Sequence, residues 1–451
     1  MPMKTQRLPS PSAAPSSRAQ RVRGGASASQ PSGLPRDSLA FSLLLAARVL
    51  AAVRAGRSLT QALAPLASEP PSARAEAQDA AYATLRRYGC GEFLLRRLLA
   101  RPLPHPEAEA LLLAALYRLQ SRPETAYVVV DQAVTAAAEL AEGAFKGLVN
   151  AVLRNYLRQR EDLERAMLDD EEARHQHPAW WLKRLRREYP ACWQRIVAFA
   201  NRPPPMTLRV NRRRSCVAEY AARLHAAGLT ARPIGPAGLL LADAVAVEAL
   251  PGFADGLVSI QDAGAQRAAE LLAPQAGQRV LDACAAPGGK TCHLLELADI
   301  ELLALDVQES RVRRIRDNLH RLRLPATVVL ADCRRSPDWW DGRAFDLILA
   351  DVPCSSSGVV RRHPDIKYLR RQSDIRHFVH LQREILDGLW PLLKAGGKML
   401  YATCSLFEEE NAAQIDAFLF RQAAARRLTE ERLLPREEHD GFYYALLEKA
   451  A

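Results

Sequence analysis

Nowhere in the 451 residues does an apolar run approach the roughly 20 residues that a helix needs to cross a bilayer. The sequence therefore reads as a soluble protein with no membrane partner. Closely paired cysteines are missing too. Cys90, Cys192, Cys216, Cys284, Cys292, Cys333, Cys354 and Cys404 are scattered with no C-x-x-C spacing. Structural zinc ligands usually come in pairs about two to four residues apart, so no metal is expected. With no secretory leader, the thiols are expected to be reduced and the protein cytoplasmic. Acid is absent from residues 1–36, which are rich in Ser, Pro, Ala and Gly and carry Lys4, Arg7, Arg18, Arg21, Arg23 and Arg36. Such a stretch cannot build a core, and its prolines and glycines spoil the amphipathic helix of an organelle-targeting peptide. It is expected to be a disordered basic tail.

What is present is a surplus of positive charge, 62 Lys and Arg against 51 Asp and Glu, a net +11. An acidic partner follows, and nucleic acid is the first candidate. From 37 to 165 the pattern is helical, with Leu112, Ala115, Leu116 and Leu119 spaced to place one apolar stripe on a helix. Basic residues beside the apolar face of Lys146–Arg154 read either as an RNA-docking surface or as an ordinary solvated face. Residues 166–253 change texture: a Trp-rich helix around Trp180, Trp181 and Trp193, then the alternating strand Thr207-Leu208-Arg209-Val210-Asn211. Arg209 and Asn211 are candidates to touch a nucleic-acid backbone. Residues 254–451 alternate helices with short apolar runs at 280–282, 302–306, 327–330, 347–351 and 399–403, the signature of a doubly wound α/β domain. A last strand near 441–447 is expected to be antiparallel.

The first strand of that domain leads into Asp282-Ala283-Cys284-Ala285-Ala286-Pro287-Gly288-Gly289-Lys290-Thr291. Its end resembles a phosphate loop, but that motif needs glycine where Cys284 stands, and G-x-G-x-x-G is absent as well. A nucleoside-type donor without a phosphate cradle fits better. Asp306 ends the second strand, where a carboxylate can accept both ribose hydroxyls. Asp332 follows the third strand and could accept an adenine amine. Either acid alone could be a cap or turn residue; acids at successive strand ends after a glycine turn point to a ligand.

Two cysteines lie at the ends of further strands, in Asp351-Val352-Pro353-Cys354-Ser355 and Tyr401-Ala402-Thr403-Cys404-Ser405. A buried inert thiol is the default for either one. Together beside Asp351 they suit chemistry on a pyrimidine ring. A thiolate adds at C6, C5 becomes nucleophilic enough to take a methyl group, and a second thiol helps reverse the addition. Asp351 would stabilise charge on the ring. Cysteine in place of the aromatic of an Asp-Pro-Pro-aromatic loop disfavours exocyclic-amine methylation.

These three segments resemble the RNA cytosine-5 methyltransferases of the Nol1/Nop2/Sun group. The run Val360–Lys367, Pro251-Gly252-Phe253 with Gln261-Asp262, and the helical front region are similar, more narrowly, to the bacterial Sun/Fmu branch of B-type small-subunit ribosomal RNA methyltransferases. The resemblance covers about Asp37 to the C-terminus. It implies a multidomain chain: an all-α NusB-like RNA-binding domain (37–165), a small α+β RNA-recognition-like connector (166–253) and an α/β Rossmann-type methyltransferase domain (254–451). S-adenosyl-L-methionine is the implied methyl donor, contacted by Cys284, Ala285, Ala286, Pro287, Gly288, Gly289, Lys290, Asp306, Asp332 and Asp351. The nucleophile falls on Cys404 and the helper for product release on Cys354; a Pro-Cys nucleophile, Cys354, is the reverse assignment. The implied substrate is a cytosine of 16S ribosomal RNA, cytosine 967, acted on by a monomer. Val352 stands where the family usually has alanine, which touches pocket shape rather than mechanism. Arg361, Arg362, His363 and Lys367 follow the catalytic loop and are expected to meet RNA phosphates around an unstacked base. A NusB-like assembly factor without turnover is the alternative from a different class.

Overall fold

The computed structural model describes residues 33–450, so most of the expected basic tail lies outside the described residues. Helices from Leu39–Arg54 to Glu171–His175 form one bundle. Ser38 starts the first by accepting a hydrogen bond from the Phe41 amide, a side-chain N-cap. That helix is apolar nearly all round and is buried accordingly. It packs on the helix Pro106–Ser121, whose stripe Leu112, Ala115, Leu116 and Leu119 faces the core. Gly89 lets the helix Tyr88–Leu98 cross the segment at Glu172, because an added Cβ would overlap the Glu172 carbonyl.

The connector is a four-stranded antiparallel sheet of β1 (Thr207–Val210), β2 (Ala231–Ile234), β3 (Gly238–Leu241) and β4 (Val258–Ile260), in the order β2-β3-β1-β4. Its boundary departs from expectation: β4 pairs with β1, so the small sheet runs to Ile260, beyond residue 253. The Trp-rich helices Ala179–Glu188 and Trp193–Ala200 differ as well. They pack on Ile375, Leu406 and Phe407 of the last domain, with the Tyr189 hydroxyl donating to the Leu406 carbonyl at 2.6 Å.

Alternation along β1 sends Leu208 and Val210 into the connector core beneath the helix Val217–Ala226, and Thr207 and Arg209 to the other face. On that second face β1 meets the helix Ala263–Leu272, and Arg209 reaches the helix Gly289–Leu297 of the last domain. Arg209, 1% exposed, grips Glu296 through two bonds of 2.7 and 2.8 Å and also donates to the Gly289 carbonyl at 2.7 Å. Asn211 is equally buried: its amide donates to the Gly256 carbonyl and its oxygen accepts from the Arg213 amide. The reading of these two as RNA contacts is therefore corrected. Both are occupied inside the protein, Arg209 in fastening the connector to the helix that follows the donor loop.

The last domain carries β5 (Arg279–Asp282), β6 (Glu301–Asp306), β7 (Thr327–Leu330), β8 (Phe345–Asp351), β9 (Leu393–Thr403), β10 (Ala425–Leu433) and β11 (Phe442–Lys449), ordered β10-β11-β9-β8-β5-β6-β7. Strands β5 to β9 are parallel, and β11 runs antiparallel between β9 and β10. Chain order reverses between β5 and β8, the switch point at which open α/β sheets bind ligands beyond the carboxyl ends of their strands. Among the described residues no helix is long and apolar enough to cross a membrane.

Replacing Arg209 by Met should strand a fully buried Glu296 carboxylate, at a cost of about 3–5 kcal/mol. The check is a lowered urea midpoint for R209M against wild type.

Candidate active site

After β5 the chain turns through Ala283 to Gly288 and enters the helix Gly289–Leu297. Gly288 has a φ of +99°, open to glycine, and an added Cβ would stand 3.1 Å from the Ile315 Cα, so the loop is pressed against the following helix. Ala285 and Ala286 are buried, Pro287 is exposed, and Cys284 lies half-buried beside Cys333, whose thiol together with burial pushes the Cys284 thiol up. Asp282 ends β5 at 1% exposure. One of its oxygens accepts from the Thr291 hydroxyl at 2.6 Å, and the other has no hydrogen-bond partner in the protein. Burial, with the charge of Asp351 adding to it, pushes this carboxyl up to about 7. Asp306 ends β6, also buried, accepting from the Gln308 amide at 3.1 Å. Asp332 lies just beyond β7, but Arg334 takes both of its oxygens, and this bonding holds the carboxyl below the usual range. A ligand amine reaching Asp332 has to share it with Arg334.

Asp351 ends β8 and accepts from Lys290 of the donor loop at 2.6 Å. Burial alone would drive the Lys290 ammonium down, but Asp351 outweighs it and the pKa is raised, so Lys290 is a cation at the site. The acids at the ends of β5, β6 and β8, the unpartnered Asp282 oxygen and a loop without a phosphate cradle fit a nucleoside carrying a positive centre. Of the residues expected to contact S-adenosylmethionine, Cys284–Lys290, Asp306 and Asp351 lie together at this edge of the sheet with Asp282 beside them, and Asp332 is engaged by Arg334. Among the described residues, no three His, Cys, Asp or Glu side chains gather as metal ligands.

β8 and β9 are parallel neighbours with Asp351 opposite Ala402, so the loops that follow them leave the sheet side by side. The Val352 amide donates to the Ala402 carbonyl at 3.1 Å and the Gly358 amide to the Cys404 carbonyl at 2.8 Å. This brings the Cys354 and Cys404 sulfurs to 3.4 Å. Cys354 is buried and Cys404 half-exposed. The contact with Cys354 lowers the Cys404 pKa, with Ser356 and Lys290 acting the same way against burial and the charge of Asp351. Cys354 shifts the opposite way, through the same contact and through burial. The opposite directions, on sulfurs of unequal exposure, make Cys404 the sulfur better disposed to act as a thiolate.

Behind the thiols is a polar cluster that the sequence did not disclose. Glu410, fully buried, accepts from the Ser355 amide at 2.8 Å, the Ser405 hydroxyl at 2.6 Å and the Gln382 amide at 3.1 Å. Glu410 closes the run Glu408-Glu409-Glu410, which reads in sequence as a solvated acidic stretch; nothing local marks its last member as internal.

The basic run after the catalytic loop does not face RNA as expected. Arg361 is 2% exposed and ion-paired with Asp440. Arg362 bonds Asp262 at 2.7 Å and also Asp440. Lys367, 2% exposed, donates to the Arg86 carbonyl at 2.9 Å and to Asn201 at 2.7 Å. The phosphate-contact reading is corrected for these three, because their charges are consumed in seating this segment against Asp262, Asp440 and the helical domain. His363 is exposed.

Sheet topology, strand-end acids and adjoining thiols define a Rossmann-type methyltransferase domain, carried behind a NusB-like bundle and a small antiparallel connector. Residues 269–448 match the family model described as 16S rRNA methyltransferase RsmB/F, residues 177–248 its ferredoxin-like domain and residues 42–158 the NusB family. The ribosomal RNA small subunit methyltransferase B of Vibrio cholerae is 45% identical over 87% of this chain and 94% of its own. That of Pseudomonas putida is 45% identical over 90% and 98%. A solved methyltransferase homolog from Pyrococcus horikoshii is 28% identical, with a TM-score of 0.56 over 63% of this chain and 99% of its own. The chain belongs to the RsmB/F family of S-adenosylmethionine-dependent 16S rRNA methyltransferases.

Iodoacetamide titration should label Cys404 with a pH midpoint below that of a free thiol and leave Cys354 unlabelled. Lys290→Met removes the cation and leaves Asp351 unpaired, so the Cys404 midpoint should rise and labelling at neutral pH slow roughly tenfold.

Proposed function

We propose that this chain methylates C5 of a cytosine in 16S ribosomal RNA, cytosine 967 by its family, with Cys404 as nucleophile and Cys354 as the thiol that assists release. The observation that carries the reading is the 3.4 Å contact between two sulfurs of unequal exposure, Cys404 the more open and Cys354 the buried one. An aromatic C5 is too weak a nucleophile to be methylated directly. Attack of the Cys404 sulfur on C6 forms an S–C6 bond and moves the electron pair of the 5,6 double bond toward C5 and the ring. Asp351, paired with Lys290 at the end of β8, would stabilise the negative charge that builds toward ring N3 by carrying a proton to it, as the acid form or through a bridging donor. S-adenosylmethionine supplies an electrophilic methyl group at this point. Loss of the C5 proton to a base then restores the double bond and expels the Cys404 thiolate. Cys354 stands next to the sulfur that must leave. The target base has to be turned out of its stack to reach the thiols.

Cys404→Ala should abolish methyl transfer to small-subunit RNA, measured with a labelled methyl donor; retained transfer would mean that Cys404 is not the nucleophile. Cys354→Ala should form the adduct and release it slowly, giving a denaturant-resistant, nuclease-sensitive band on a gel. Trapping RNA that contains 5-fluorocytidine and mapping the attached cysteine by mass spectrometry separates Cys404 from Cys354 as the attacking residue.

A further inference from the structure

Each catalytic cysteine is followed directly by a serine, and one side chain holds both. Glu410 receives the backbone amide of Ser355 on one oxygen, at 2.8 Å, and the hydroxyl of Ser405 on the other, at 2.6 Å. Gln382 spends its two N–H groups on that same cluster, one on Glu410 at 3.1 Å and one on the Pro353 carbonyl at 3.0 Å. Burial pushes the Glu410 carboxyl up, and the three groups aimed at it, all donors, act against that and favour the acceptor-only carboxylate. Its own position is fixed on both sides. The Tyr401 hydroxyl donates to the Glu410 carbonyl at 2.6 Å, and the neighbouring Asn411 links Thr403 at 2.6 Å to the Ser405 carbonyl at 2.9 Å.

We infer that Glu410 is a positioning residue for the methyl transfer: its carboxylate clamps the two cysteine loops together so that the Cys354 thiol stays in hydrogen-bond contact with the Cys404 sulfur. The inference rests on the reading of Cys404 and Cys354 as the reacting pair. Backbone bonds from Val352 to Ala402 and from Gly358 to Cys404 join the loops on either side of Cys354, and Glu410 adds the tie at the residues directly after both cysteines, where the weak sulfur contact is otherwise unsupported. A negative charge buried beside Cys354 adds a second effect, disfavouring ionisation there and so keeping the shared proton away from the nucleophile.

A clamp and a mere local charge have opposite signatures. Removing only a negative charge would make the nearby thiols easier to ionise. Loosening the clamp removes the donor from Cys404 and makes it harder to ionise. Glu410→Gln should therefore raise the pH midpoint of Cys404 alkylation and lower the single-turnover methylation rate at saturating RNA by roughly 100-fold, with S-adenosylmethionine affinity by calorimetry unchanged within about twofold. Ser405→Ala, which removes one arm of the clamp and one hydroxyl of volume, should move both readouts the same way by less. A midpoint that falls or stays put in Glu410→Gln overturns the inference. If that variant does not fold, an unchanged midpoint and rate in Ser405→Ala overturns it equally. Should Cys404→Ala still transfer methyl groups, the proposed function fails, whereas the Cys404 titration in the Glu410 and Ser405 variants still decides whether the clamp exists.

Discussion

The register between β8 and β9 is the constraint on which the site depends. With Asp351 opposite Ala402, two loops that each carry a cysteine emerge beside one another at the carboxyl edge of the sheet. Slipping one strand by a residue would turn its side chains to the opposite face and part the sulfurs. Buried apolar residues on both faces of these strands, among them Leu347, Ile348, Leu349, Met399, Leu400 and Tyr401, make such a slip expensive. The chemistry at the edge is thus set by packing in the middle of the sheet.

Buried charge ties the connector to the last domain and fastens distant segments of the last domain to one another. Arg209 with Glu296, and Arg361 and Arg362 with Asp440 and Asp262, join segments that lie 87, 79 and 100 residues apart in sequence. Pairs of this kind add little net stability over an apolar contact, but they punish misalignment severely, because a single unpaired partner is left desolvated. They set the orientation of the connector and the loop 358–370 relative to the donor helix more sharply than apolar contacts alone would. The positive surplus of the chain is therefore partly internal, and its size alone does not map the RNA surface.

The parallel strands were legible because strands buried on both faces read as short apolar runs, and the strand near 441–447 is antiparallel as expected. The helix carrying Leu112, Ala115, Leu116 and Leu119 was legible from a different signal, the helical spacing of its apolar residues, all of them buried. β10 was not: Ala425–Leu433 is a charged edge strand with mostly exposed side chains, so neither alternation nor an apolar run announces it. The two cysteines and Asp351 could be singled out by residue type and position. Glu410 could not, since its role is created by Ser355 and Gln382, which only the fold brings to it. Arg209, Arg361 and Lys367 were misread for a matching reason. Sequence tells which side chains carry charge, but the surface that covers them comes from distant segments.

The segment after the catalytic loop reaches into the first domain. Arg370 donates to the Ser355 carbonyl at 3.2 Å, Asp365 accepts from the Leu59 amide at 2.8 Å, and the ring of Tyr368 packs edge-on against Tyr88 at 4.6 Å between centroids, within the helical core. The bundle leaves the ribosome first and is able to fold as a unit before the rest is made. Tyr368 and Asp365 brace the loop that holds Cys354 against the bundle, and a chain deprived of its first domain would have to shape that loop without this support.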